Sequence, residues 1–180
     1  MKKYKLRLDL KLEVHGTTLY RIERLRDGKP TGDVGGYIES EANLSQDGTC
    51  WVYGNALVYD NARVYDNARV YGDAWVFGNA LVYGNAWVFG NALVSGNAWV
   101  SGDARIDSID AIIVLTIAAS YSVTITRTLI FAGCAKISRS KINSMTAKQF
   151  QRIGGNPKYF KAYKQMVLGA MLIVKPKKAK

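Results

Sequence analysis

Histidine, cysteine, proline and, over the last third of the chain, acidic side chains are what this sequence has least of. Its one histidine, His15, lies in a His-Gly-Thr-Thr stretch and reads as a turn residue. A single histidine in a turn gives no support to a Ser-His or Cys-His nucleophile pair and leaves no imidazole pair for a metal. Cys50 and Cys134 are the only cysteines. Two are too few for a disulfide framework or an all-cysteine zinc site, and both read as buried free thiols. The longest apolar run, 111–119, falls short of the roughly 20 residues a spanning helix needs. The lysines after Met1 lead into an alternating segment (Tyr4, Leu6, Leu8, Leu10, Leu12) rather than an apolar leader. These absences predict a soluble intracellular protein with no membrane span, metal or cofactor.

Charge is unevenly spread. Residues 1–33 carry nine basic and five acidic groups, 34–110 carry three and nine, and 111–180 carry thirteen and none. The middle of the chain is acidic and its end strongly basic, within a net charge of +11.

What is present in abundance is a repeat. From Val52 to Arg105 the chain reads as nine hexapeptides in unbroken register: VYGNAL, VYDNAR, VYDNAR, VYGDAW, VFGNAL, VYGNAW, VFGNAL, VSGNAW, VSGDAR. A period of six fits neither the helix nor the uninterrupted strand, unless the chain turns a corner in every unit. A short strand carries each valine inward, Gly-Asn, Asp-Asn or Gly-Asp turns the corner, and alanine fits the crowded bend. Ile38 and Leu44 echo the valine positions, and two extra residues intervene before Val52. Rungs at 38, 44 and ten more from Val52 to Ile106 make twelve, or four coils of three.

An aliphatic residue followed four places later by a small one resembles the hexapeptide-repeat, left-handed parallel β-helix proteins. LYRIERLRD (19–27), GDVGGYIES (32–40), NLSQDG (43–48) and WVYGNA (51–56), with Gly133-Cys134 further on, resemble hexapeptide-repeat proteins of tailed phages and prophages. The resemblance implies a viral or prophage origin, a cytoplasmic setting and no assigned activity; β-helices of this kind commonly form trimers. The chain departs from it in having no acidic residue in its C-terminal part.

Around this coil the sequence predicts an N-terminal cap over 1–33, a hairpin of 4–14 and 19–25. A turn-rich linker follows at 26–36, within a β-helix region of 34–110. Residues 111–180 read as a basic C-terminal part. There, strands at 111–117, 121–126 and 128–132 form a small antiparallel sheet closing the coil's other end. A capping box at Thr146–Gln149 starts one helix, and Asn156-Pro157 starts another. On that last helix Tyr159, Phe160, Tyr163, Met166, Val167, Ala170 and Val174 share a face, with Leu168 and Leu172 on the lysine side.

The outward coil positions are apolar. Trp51, Tyr53, Tyr71, Trp75, Phe77, Trp87, Phe89 and Trp99, with Leu168 and Leu172, form the candidate partner or oligomer surface. Three faces this greasy call for a cover: a sister subunit, the chain's own C-terminal part or a partner protein. Arg139, Lys141, Lys148, Arg152, Lys158, Lys161, Lys164, Lys175, Lys177 and Lys178 form a candidate polyanion surface, salt-sensitive and indifferent to sequence. Acyl transfer, which many hexapeptide β-helix proteins perform, is not expected, because the repeats hold no histidine. Regular Thr-x-Thr rows, as in ice-binding prisms, are missing too. The sequence predicts a non-enzymatic scaffold that self-associates or binds a host or viral protein, with counter-defence as a concrete role. The alternative is a nucleic-acid or polyanion binding module.

Overall fold

A computed structural model describes residues 1–117, 121–132 and 135–174. The chain divides into two compact units, Met1–Ile109 and Asp110–Lys180.

The first unit is a β-solenoid with an antiparallel cap. After β1 (Tyr4–Val14), β2 (Thr17–Arg26) and β3 (Lys29–Ile38), two-residue strands recur every six residues. They are β4 (Trp51–Val52), β5 (Leu57–Val58), β6 (Arg63–Val64), β7 (Arg69–Val70), β8 (Trp75–Val76), β9 (Leu81–Val82), β10 (Trp87–Val88), β11 (Leu93–Val94), β12 (Trp99–Val100) and β13 (Arg105–Ile106). Each pairs in parallel with a strand 18 residues away, which sorts them into three sheets. Sheet one runs β1-β2-β3-β5-β8-β11, sheet two β4-β7-β10-β13 and sheet three β6-β9-β12, which an isolated bridge from Leu44 to Val64 extends. Ile38 pairs with Val58, 20 residues away rather than 18, so the first coil absorbs the two extra residues. The expected twelve rungs in four coils are present.

The repeat valines and alanines from Val52 to Ala104 are all buried, and one valine per rung fills the interior. Full burial stabilises each by about 1.5–3 kcal/mol. At the corners, the residue two places after each inward valine adopts a left-handed backbone: glycine at seven positions from Gly54 to Gly102, aspartate at Asp60 and Asp66. Asparagine side chains join coil to coil, as Asn61 donates to Asn79 and Asn79 to Asn97, each at 3.1 Å.

The cap differs from the expected hairpin. It is a three-stranded meander, and most of the segment read as linker, 26–36, is strand β3, so residues 33 and 34 both lie within a strand. Gly35 and Gly36 are there for close packing: a Cβ on Gly35 would lie 2.6 Å from the Val52 carbonyl oxygen, and one on Gly36 2.6 Å from Val52 Cγ1. The meander also seals the first coil. The buried Tyr4 hydroxyl donates to the Leu44 carbonyl at 2.6 Å, and the Lys3 ammonium reaches the Cys50 carbonyl at 3.0 Å. The alternation read in β1 fails midway, because three residues, Leu8 to Leu10, bulge out of register between the Arg7 and Lys11 pairs, leaving Leu8 67% exposed.

The second unit is an antiparallel meander with two helices. Strands β14 (Ile112–Ile117), β15 (Tyr121–Thr126), β16 (Leu129–Ala132) and β17 (Ala135–Ser138) pair in sequence order; β17 was not expected. The Thr146 capping box opens α1 (Ala147–Arg152), and Asn156 and Pro157 open a 3-10 turn that leads into α2 (Phe160–Ile173). Val123, Ile125 and Ile130 of the sheet pack with Phe150, Tyr163 and Val167. Tyr159 and Met166 are exposed, against expectation: Tyr159 belongs to the 3-10 turn, where the 3.6-residue period does not hold.

Candidate interaction surfaces

Each solenoid sheet carries two outward rows, one preceding and one following the inward valines. On sheet one the cap covers part of both. Leu19 packs with Leu57 and Tyr59, joined by Val14, Trp75 and Phe77, and His15 meets the Trp75 ring edge-on at 6.0 Å. The only histidine therefore serves an aromatic cluster, and the chain's own N-terminus supplies a cover that the sequence did not suggest.

Sheet two carries an alternating ladder. Trp51 pairs with Arg69, Arg69 with Trp87 and Trp87 with Arg105. The Trp87 ring lies between two guanidinium groups, 5.5 Å from Arg69 and 4.7 Å from Arg105. Such contacts contribute about 0.5–1 kcal/mol each at exposed sites. Arg69 and Arg105 are exposed and make no ion pair among the described residues. Beside them Tyr71 stacks on Phe89 at 5.1 Å, and Tyr53 is 36% exposed.

Trp51, placed on the partner surface by its outward position, is instead only 1% exposed. Tyr4 meets it edge-on and Arg24 lies 3.9 Å from its ring, so the cap takes that tryptophan out of play. Trp75, Phe77, Trp87, Phe89, Trp99 and Tyr71 are half-buried by neighbours along their rows. The coil's outside is thus less bare than the sequence suggests, because rings on successive coils cover one another.

In the second unit Lys141, Lys148, Arg152, Lys158 and Lys161 are exposed. Lys136 and Lys141 border a cleft of about 270 Å³ together with Ser144 and Gln149. Arg139 does not belong with them. It is buried and donates to the Val174 and Met171 carbonyls at the end of α2 and to the Thr126 carbonyl at 3.3 Å. Burial lowers its pKa, and its charge is used to cap a helix C-terminus. Lys164 is also engaged, donating to the Asn143 carbonyl at 2.6 Å. Leu168 packs against the unit's core, while Leu172 is 73% exposed. Lys175, Lys177 and Lys178 lie outside the described residues.

Among the described residues no three His, Cys, Asp or Glu side chains are placed to hold a metal ion. No described helix is long and apolar enough to cross a membrane.

Comparison with known families finds that the model of the YdcK beta solenoid repeat matches residues 62–77 and 88–102. Both stretches lie in the regular coils, β6 to β8 and β10 to β12. No curated protein matches the chain. By its matched repeats and its three sheets of stacked parallel strands, the chain is a repeat β-solenoid protein.

Proposed function

We propose that this protein is a non-enzymatic interaction scaffold, a left-handed hexapeptide-repeat coil of phage or prophage origin. It works in the bacterial cytoplasm by self-association, as a trimer, or by docking a host or viral protein, with counter-defence as its setting. The observation that carries this reading is the outer face of sheet two, where Arg69 and Arg105, without an ion pair among the described residues, stand in line with Trp87 beside Tyr53 and Tyr71. Arginine and large aromatics are the side chains that dominate protein interfaces, and a rigid coil holds them at little entropic cost. Light scattering and pull-down on wild type and an Arg69→Glu/Arg105→Glu double variant test it. A complex or oligomer lost in the variant supports the reading; a wild-type monomer that captures no protein overturns it.

A second reading, polyanion binding by the second unit, is favoured by a separate observation. Six exposed cations among the described residues there, Lys136 with the five named above, face no carboxylate of residues 111–180, because that stretch has none. Nucleic acid retained at low salt and released at moderate salt supports it; retention that salt does not change overturns it.

A further inference from the structure

The ring rows of the solenoid are uneven, and one break leaves a shaped space. In the row that follows the inward valines, Tyr59 stacks on Phe77 and Tyr71 on Phe89 at 5.1 Å, and Tyr65 on Tyr83 at 4.9 Å with their planes 2° apart. One face of the Tyr65 ring is therefore occupied by Tyr83. On its other side the next rung belongs to Ser45, whose N–H donates to the Val64 carbonyl at 2.9 Å. On sheet two the corresponding rung carries Tyr53. Here the side chain stops at a hydroxyl, which accepts from the Asp47 N–H at 3.0 Å. A cleft of about 350 Å³ remains, lined by Ala42, Ser45, Arg63, Val64, Tyr65 and Leu81.

We propose that this cleft binds a flat aromatic ring carrying an anionic group, the ring filling the missing step against Tyr65 and the carboxylate or phosphate meeting Arg63. Flatness follows from the coil. Neighbouring strands lie about 4.8 Å apart, so one rung admits one stacked ring, and a puckered saturated ring is too thick and lacks a π face. The negative charge follows from Arg63, which is exposed and has no ion pair among the described residues. Its planar fork suits a carboxylate or phosphate. The neighbouring Asn43 does not read the ring's edge, because it is already engaged: its amide donates to the Asp60 and Ala62 carbonyls and its oxygen accepts from Ser40. Shape and charge therefore set the ligand class. This site is independent of the scaffold reading above and stands or falls without it.

The test is a titration of the full chain, followed by backbone amide shifts at Ser45 and Tyr65. Benzoate and phenyl phosphate are the probes; cyclohexanecarboxylate and inorganic phosphate are the controls. The aryl anions should saturate these shifts at least ten-fold more tightly than either control. Ser45→Tyr, which supplies the absent ring, should abolish the response in a chain that still folds. Arg63→Gln should remove the preference for benzoate over benzamide, whereas Tyr65→Phe should keep binding. No saturable response, equal binding of the saturated acid, or an unchanged response in Ser45→Tyr overturns the proposal. Should Ser45→Tyr not fold, Tyr65→Ser is read in its place: loss of binding supports the site and retention overturns it.

Discussion

The Asp60 carboxylate accepts the backbone N–H of Gly78, 18 residues further along, at 3.0 Å, and does so from a residue whose own φ is 56°. Asp66 repeats the relationship with Gly84 at 3.1 Å. At most other corners glycine takes the left-handed conformation without strain; here aspartate bears it, and its side chain secures the next coil in return. Asp60→Ala should therefore lose both the acceptor and a residue type that tolerates the bend, lowering stability by about 1–2 kcal/mol. Asp60→Gly, trading the hydrogen bond for a relaxed backbone, should stay within about 1 kcal/mol of wild type. Urea unfolding of the two variants separates strain from bonding.

Val76 lies on β8, between β5 and β11 of sheet one, with no exposed surface. Val76→Asp places a carboxylate in an apolar interior with no partner, at a cost of several kcal/mol. The variant should unfold or melt far below wild type by circular dichroism. Melting within a degree or two of wild type would mean that the valines do not fill the coil.

Arg139 and Lys148 look alike in sequence and differ in role. Arg139→Gln withdraws a charged donor from the α2 carbonyls and should destabilise the second unit by about 1.5–3 kcal/mol. Lys141→Gln and Lys148→Gln remove exposed charges, should leave the melting temperature unchanged and should weaken any nucleic-acid retention. Thermal melts and filter binding on the same variants check both halves.

Cys50 is fully buried, and desolvation pushes its thiol pKa up from the ordinary value of 9.0, against the opposing pull of Lys3. A raised folded-state pKa favours the neutral thiol. Its contribution to stability is complete below about pH 9 and fades as pH climbs through the folded-state value. In a Cys134→Ser background, Cys50 should resist a thiol reagent at pH 8 until the chain is denatured. Prompt reaction of the native protein would contradict that burial.

The coil was legible because its chemistry is local and repeated: every valine, alanine and corner residue states the same geometry, and Ile38 and Leu44 follow it. What was missed depends on contacts distant in sequence. Pro30, Gly32, Gly35 and Gly36 read as a turn-rich linker, yet β3 needs the last two glycines because Val52 presses against them. Arg139 read as one more surface cation because the carbonyls it caps lie 32 and 35 residues further on. The outward rings read as bare for a similar reason. Leu19, Arg24 and His15 come from the cap, and nothing in the cap's own pattern announces that they fold over tryptophans of the coil. The break at Ser45 becomes visible only once the stacking register is known.

The 18-residue spacing between hydrogen-bonded strands also limits how this chain can change length. Excising one whole coil returns every later strand to the sheet it came from, with its asparagine and its ring in line. Excising a single hexapeptide moves each of them one sheet around, which would set Arg69 and its successors beneath the wrong neighbours. Gains and losses by multiples of 18 are therefore the changes this architecture absorbs most readily.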